Sequence, residues 1–148
     1  MTDGWSREES LGYQMNHLAR LFAQALAVRI ASLGVVPGQF AQLLVLFEQD
    51  GLSQRELCDR VRIEQPTMAN TLRRMERDGL VRRVSDPSDR RRTHVLLTER
   101  ARGIEKELIS AADTVNAAAT EGLTDAEIAI YLDLTAKVIR NLEAGNGQ

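Results

Sequence analysis

Residues 53–79 decide the fold, and their sequence is SQRELCDRVRIEQPTMANTLRRMERDG. Ser53 and Glu56 have the spacing of a capping box, in which each side chain accepts a hydrogen bond from the backbone amide of the other residue. The box predicts a helix of about two turns over 53–62. A longer helix is predicted over 65–79, with a proline in its first turn and a glycine at its end. A short capped helix, a tight link and a longer helix are typical of a helix-turn-helix.

The longer of these two helices has an apolar face and a polar face. At about 100° per residue, Met68, Leu72 and Met75 fall within about 60° of one another, so we predict that they face the core. Groups of the kind found on the opposite face bind bases in a major groove, since Arg can bond to guanine, Asn to adenine, and a Thr methyl can touch thymine. We therefore expect a DNA recognition helix whose site residues are Gln65, Pro66, Thr67, Asn70, Arg73, Arg74 and Arg77.

A β-hairpin with an arginine-rich tip is predicted after this helix. Segments 80–84 and 93–97 have the two-residue period of strands, and the Asp, Pro and Ser residues between them are typical of a turn. Arg at such a tip is attracted by the negative potential of a minor groove, whereas an acidic residue beside it can pair with an Arg and hold the loop in shape. The expected DNA-binding residues of the tip are Asp89, Arg90, Arg91 and Arg92.

Positively charged residues are concentrated in this region. The formal net charge is -2, yet residues 60–92 contain 10 Arg and 5 acidic residues, a local net charge of 10 - 5 = +5. The planar fork of Arg suits phosphates and guanine edges. A patch of arginines on an acidic protein indicates an anionic partner that docks at one place.

Amphipathic helices flank the basic region on both sides. Apolar residues three or four apart predict a helix over 10–33, and Pro37 begins a short second one. After the hairpin we predict a single helix from 98 to about 120 and a last helix from 124. The apolar stripes of the outer helices are longer than one small core can cover, which predicts a homodimer. The expected organisation is a single unit 1–148, with a DNA-binding region 35–97 and dimerisation helices 10–33 and 98–143.

Three stretches of the chain carry a family resemblance. They are SQREL (53–57), TLRRMERDGLVRR (71–83) and DPSDRRR (86–92), the last of which leads to Leu97-Thr98. From about Leu11 to Leu142 the chain resembles a MarR-family winged-helix transcriptional regulator. It departs from the pattern at Ala101, where the family often has Gly, and at Val36, where Thr is frequent. Neither position is on the predicted DNA face.

The resemblance implies a mainly α fold with a small β-hairpin wing, in which a winged helix-turn-helix core is joined to N- and C-terminal dimerisation helices. It makes Asp89 and Arg91 the family's Asp-x-Arg pair, with Arg91 in the minor groove. It also implies an obligate homodimer that interlocks the first, fifth and sixth helices. We expect a sequence-specific regulator of double-stranded DNA that binds a pseudo-palindromic inverted repeat, with Ser53 and Gln54 as phosphate contacts.

The resemblance further implies a small aromatic or anionic ligand between the first and second helices and the start of the fifth. We expect a repressor relieved by this ligand, although the sequence does not decide between repression and activation. The candidate effector-binding residues are Tyr13, His17 and Arg20, which share a face of the first helix, and Phe40 on the second helix. The sequence does not identify the effector, and a purely architectural DNA-binding protein without an effector stays an open alternative.

Other classes of function have less support in the sequence. The two histidines, His17 and His94, lie on different predicted elements, and there is neither a phosphate-binding glycine loop nor a cluster with metal-ligand spacing. We therefore expect no enzyme activity, no cofactor and no metal. The alternative function is thiol-based redox sensing through Cys58, although its place beside Leu57 predicts an ordinary buried cysteine.

The single cysteine also excludes an internal disulfide, and a reducing cytoplasm fits this composition best. No apolar run approaches the roughly 18 to 20 residues of a membrane span, and residues 1–10 lack the basic and apolar regions of a signal peptide. We therefore expect a cytoplasmic protein with no membrane partner.

Overall fold

The computed structural model describes residues 4–146. This description leaves out residues 1–3 and 147–148. Both ends are part of the expected unit 1–148, and residues 1–3 are also part of the segment that was compared with signal peptides. The described chain is mainly helical, with one antiparallel pair of strands. By its internal contacts it forms two compact units, one that ends at Asp113 and one that begins at Thr114.

The elements follow the order expected from the sequence. The first unit contains, in chain order, α1 (Leu11–Ile30), α2 (Pro37–Glu48), α3 (Gln54–Val61), α4 (Gln65–Arg77), β1 (Val81–Ser85), β2 (Thr93–Leu97) and α5 (Glu99–Gly103). Helix α6 (Glu105–Ala119) crosses the boundary between the units, and α7 (Asp125–Asn146) belongs to the second unit. Short 3-10 helices are present at Arg7–Glu9 and Ala31–Leu33. The fold class predicted from the sequence is confirmed.

Two of the predicted helices have different limits in the structure. The single helix expected from 98 to 120 is interrupted at Ile104, whose amide bonds to the carbonyl of Ala101 at 3.3 Å in place of the regular helical bond. Gly103 has a low helix propensity, and Ile104 packs against the core, so packing outweighs helix continuity at this point. The first helix is α-helical only to Ile30, and its last turn, Ala31–Leu33, is 3-10.

The core of the first unit lies around α4. Met68, Leu72 and Met75 are each 0% exposed, which confirms the face predicted from the helical period. They belong to one apolar cluster with buried side chains of α2, α3, α5 and both strands, among them Leu43, Leu57, Val81, Val95 and Ala101. The rotation of α4 about its axis is therefore fixed by burial.

The segment before α3 is bonded to β2 through its backbone. The amide of Val95 donates to the carbonyl of Leu52 at 2.8 Å, and the amide of Gly51 donates to the carbonyl of Val95 at 3.1 Å. An isolated bridge pairs Ser53 with His94. These bonds join β2 directly to the start of the helix-turn-helix.

Arg100 of α5 joins the ends of two earlier helical segments. Its guanidinium donates to the carbonyl of Leu33 at 2.8 Å and to the carbonyl of Asp78 at 2.9 Å. Gly34 has a φ of 73°, a conformation that L side chains rarely adopt. A turn at Gly34 thus exposes the last carbonyl of the 3-10 segment to the arginine.

Among the described residues, no single helix is long and apolar enough to cross a membrane. The segments Leu11–Leu33 and Pro37–Glu48 meet the length and composition test only as a pair bent by 73°. No group of three or more His, Cys, Asp or Glu residues within 4–146 has the arrangement of a metal site.

Replacing Leu72→Ala should lower the free energy of unfolding by about 2–5 kcal/mol, because it leaves a cavity in the core against α4. The matched control is Arg74→Ala on the exposed face of the same helix, which should change it by less than about 0.5 kcal/mol. Urea unfolding followed by circular dichroism measures both. Equal losses in the two variants would contradict the orientation of α4.

Candidate DNA-binding interface

The polar face of α4 is exposed along its whole length. All of the residues assigned to this face from the sequence are exposed, namely Gln65, Pro66, Thr67, Asn70, Arg73, Arg74 and Arg77. Arg73 donates a hydrogen bond to the side-chain carbonyl of Asn70, and Arg77 pairs with Asp78 at 3.2 Å. On this face Arg73 and Asn70 therefore orient one another, and Asp78 orients Arg77.

Polar contacts fix the C-terminal half of α4 to its surroundings. The buried Gln39 of α2 donates to the carboxylate of Asp78 at 2.9 Å, and this bond, with a further contribution from Arg77, lowers the pKa of Asp78. Arg83 of β1 forms an ion pair with Glu76 at 2.6 Å. These contacts join the recognition helix to α2 on one side and to the hairpin on the other.

The capping box predicted at the start of α3 is present. The hydroxyl of Ser53 accepts from the amide of Glu56, and the carboxylate of Glu56 accepts from the amide of Ser53, each at 3.1 Å. Ser53 is only 3% exposed. Its hydroxyl caps the helix, and both Ser53 and the half-buried Gln54 line the groove described below. Their assignment as phosphate contacts stays a prediction.

The turn between the strands is held by its own acidic residues. We call β1, β2 and this turn, residues 81–97, the wing. Asp89 accepts from the backbone amide of Arg91 at 3.0 Å and from its guanidinium at 3.2 Å. The Arg91 side chain is nevertheless 92% exposed. The pairing expected for Asp89 is therefore present, and it holds Arg91 at the tip while leaving its guanidinium accessible.

A groove of about 680 Å³ lies between the wing and the helix-turn-helix. Glu56 on its wall pairs with Arg92 of the wing at 3.5 Å, and the capping bonds from Ser53 lower the pKa of Glu56. Arg55 and Asp59 also line the groove and were not expected in the site. The lining residues are Ser53, Gln54, Arg55, Glu56, Asp59, Gln65, Asp89, Arg91, Arg92 and Thr93.

His94 is a site residue that the sequence analysis missed. One ring nitrogen, Nε2, lies 2.8 Å from a carboxylate oxygen of Asp86, and the other, Nδ1, lies 3.1 Å from the carbonyl oxygen of Gly51. Asp86 raises the pKa of His94 most, and the Gly51 carbonyl adds to this effect. The only signal in the sequence was an acidic residue and a histidine on either side of one turn.

The candidate effector residues are in two different environments. Tyr13, His17 and Arg20 are exposed along α1. Phe40, by contrast, is 8% exposed and belongs to the apolar core. The structure thus brings three of the four to one accessible helix face, while the ring of Phe40 serves in packing.

Cys58 has the environment of a structural cysteine. It is 6% exposed within the core, and burial, followed by the nearby charge of Asp59, raises its pKa. A raised pKa disfavours the thiolate, which is the reactive form. The alternative of redox sensing through Cys58 is therefore not supported.

This geometry defines a winged helix-turn-helix protein with a DNA-binding face. A MarR-family model matches residues 33–92. The HTH-type transcriptional regulator TtmR of Methylorubrum extorquens (strain PA1) is 30% identical over 145 residues, which cover 98% of this chain and 73% of TtmR. The chain belongs to the MarR family of transcriptional regulators. It is a DNA-binding regulator and not an enzyme.

Solved structures share the fold. A MarR transcriptional regulator from Methanosarcina mazei Go1 aligns with a TM-score of 0.81 and 26% identity, covering 90% of this chain and 97% of its own. The PcaV regulator of Streptomyces coelicolor, solved in complex with its natural ligand, aligns with a TM-score of 0.86 and 24% identity, covering 94% of this chain and 98% of its own. The resemblance inferred from the sequence is confirmed.

Proposed function

We propose that the protein binds an inverted repeat as a homodimer, with α4 of each chain in a major groove and each wing tip in the adjacent minor groove. The observation that carries this proposal is the exposed polar face of α4 opposite three fully buried side chains, Met68, Leu72 and Met75. Two-fold symmetry would then place successive recognition helices one helical turn apart on DNA.

The groove between α3 and the wing suits the sugar-phosphate backbone between the two DNA grooves. Arg55, Arg91 and Arg92 on its wall can bind phosphate, and Gln54 can donate a hydrogen bond. Glu56 and Asp59 lie among them, so the wall is not uniformly positive. We propose that Gln54 and the arginines contact phosphates, and that the acids paired with these arginines orient their guanidinium groups.

Unpartnered apolar side chains support the dimer. On α1, Leu11, Met15 and Leu21 are exposed, and Val28 is 82% exposed. On α7, the exposed apolar side chains are Ile130, Tyr131, Leu132, Leu134, Ile139 and Leu142. Surfaces of this kind are typical of protein interfaces. We propose residues 10–33 and 98–143 as the dimerisation helices of a unit 1–148 and residues 35–97 as its DNA-binding region.

We further propose that the regulator is a cytoplasmic repressor released from DNA by a small aromatic or anionic ligand. The PcaV structure was solved with its natural ligand, which supports a ligand response within this fold. Tyr13, His17 and Arg20 supply an aromatic ring, an imidazole and a guanidinium group on one face of α1. Such groups can recognise an aromatic carboxylate.

Sedimentation at micromolar concentration should find two chains per particle, because a monomer would expose the apolar side chains of α7. Leu132→Glu should favour monomers, since the charge would have to be buried in the interface. Asp133→Ala, at the adjacent exposed position, is the matched control and should remain dimeric. A wild-type protein that sediments as a folded monomer would refute the proposed assembly.

Selection from random duplexes followed by footprinting should yield two half-sites with centres about 34–36 Å apart. Asn70→Ala and Arg73→Ala should each lose about 1–3 kcal/mol at particular base pairs. Their effects should not add, because Arg73 bonds to Asn70 in the free protein. Arg82→Ala, an exposed arginine on β1, is the control and should leave base preference unchanged. Equal losses on random DNA would mean that Asn70 and Arg73 hold phosphates instead.

Arg91→Ala should weaken binding to the selected site and reduce the salt dependence by up to about one counterion per half-site. Asp89→Ala should weaken binding too, because Arg91 loses the partner that orients it, although Coulomb attraction alone predicts tighter binding. Asp59→Ala is the matched control: it removes an acid from the same groove and should tighten binding or leave it unchanged. Dissociation constants at two salt concentrations test these expectations. Tighter binding by Asp89→Ala would contradict the proposal that Asp89 orients Arg91.

A further inference from the structure

His94 connects the wing to the segment that precedes the helix-turn-helix through bonds of its side chain. Its Nε2 meets Asp86, which follows β1 at the base of the turn, and its Nδ1 meets the carbonyl of Gly51, which precedes α3. The side chains of His94 and Asp86 are 27% and 15% exposed. The ring is therefore only partly accessible to water, and it bridges two segments that are distant in sequence.

Both partners of the ring can only accept hydrogen bonds. Gly51 offers a carbonyl oxygen, and an ionised Asp86 offers a carboxylate. The second carboxylate oxygen of Asp86 accepts from the amide and the hydroxyl of Ser88, at 2.8 and 2.6 Å. The bond with His94, followed by these two bonds, holds the pKa of Asp86 well below its ordinary value. Neutral imidazole carries one N–H and can satisfy only one acceptor. Both hydrogen bonds of the ring can therefore form at the same time only when His94 is an imidazolium.

The bridge is continuous with the tip of the wing. The amide of Asp86 donates to the carbonyl of Arg92 at 2.9 Å, and the amide of Arg92 donates to the carbonyl of Asp89 at 3.0 Å. Asp89 in turn holds Arg91. A displacement of Asp86 is therefore transmitted through two backbone bonds to the residue that orients the arginine.

We propose that His94, in its imidazolium form, is a positioning residue that locks the wing onto the helix-turn-helix and so sets the position of Arg91 for DNA. The proposal rests on the role of the wing proposed above. It adds that DNA affinity is linked to one protonation on the protein, at a residue to which we assign no contact with DNA.

The charged groups around His94 set the direction of the linkage. Asp86 and the Gly51 carbonyl raise the pKa of His94, whereas partial burial and the positive charge of Arg92 oppose the rise. Arg92 is itself paired with Glu56 of α3. The carboxylate of Asp50, beside Gly51, is engaged by the amides of Gly51 and Leu97 and by Arg102. The lock is therefore complete below the ordinary pKa of histidine and is lost as pH rises through the higher pKa of folded His94.

The first test needs no DNA. Because the chain has two histidines, NMR titration gives two imidazole signals, and His17→Gln assigns them. His94 should titrate above about 6.5, with both ring nitrogens protonated below its midpoint. The heteronuclear NOE of amides 88–91 should fall as the pH rises through that midpoint, because the wing loosens. A His94 midpoint at or below the ordinary value, or wing amides indifferent to it, would overturn the proposal.

The second test measures binding to the selected DNA site at about pH 6 and about pH 8.5. The wild type should bind about threefold or more tighter at the lower pH, a modest factor because the pair is partly exposed. His94→Gln, which can still donate to Asp86 but does not titrate, should bind equally at both. Asp86→Asn should move the pH response toward lower pH. Glu9→Gln, an exposed residue outside the proposed DNA-binding and dimerisation segments, is the control and should keep the wild-type response.

The outcomes distinguish a failure of the positioning role of His94 from a failure of the proposed DNA-binding role of the wing. If Arg91→Ala weakens binding but the wild type binds equally at both pH values, the wing contacts DNA and the positioning role of His94 is wrong. If Arg91→Ala has no effect on binding, the wing's role in DNA binding fails first, and the positioning role falls with it even where the NMR titration behaves as expected. Melting temperatures of each variant exclude loss of fold as the cause.

Discussion

The burial of one face of α4 is the constraint on which the rest of the structure depends. Met68, Leu72 and Met75 are completely buried, and each such side chain contributes about 1.5–3 kcal/mol relative to exposure. Rotating the helix by one residue in either direction would exchange this gain for the burial of an arginine, Arg73 or Arg74, which is costly. The exposure of Asn70 and Arg73 thus follows from the core, and the interface needs no separate device to turn the helix outward.

The orientation of the wing has a different physical origin. Val95 and Leu97 anchor its base in the core, but the tip is held by polar contacts: Asp89 with Arg91, Arg92 with Glu56, and Asp86 with His94. Exposed ion pairs contribute little to stability, about 0–1 kcal/mol each. Their effect here is geometric, since each fixes one arginine or one turn. A tip with this construction can be ordered without a core of its own and can also be loosened by the loss of a single proton.

The same contacts give the arginines of the positively charged region different roles. The excess of arginine in residues 60–92 correctly indicates an anionic partner, and family membership establishes DNA-binding regulation. The arginines nevertheless have different roles. Arg83 is paired with Glu76 and fixes the hairpin to α4, whereas Arg91 is paired and still 92% exposed. Net charge counts both alike, because it contains no information about which acid each arginine meets.

The sequence by itself determined what depends on neighbours along the chain: the capping box at Ser53, the buried stripe of α4, the two strands and the family motif at 86–92. These follow from helical and strand periods and from local hydrogen bonds. Only the tertiary structure decided the break at Ile104, the burial of Ser53 and Phe40, and the bridge from Asp86 through His94 to Gly51. Gly51 and His94 are 43 residues apart. No period or spacing encodes such a contact, because it exists only where packing of the core brings separate segments within hydrogen-bond distance.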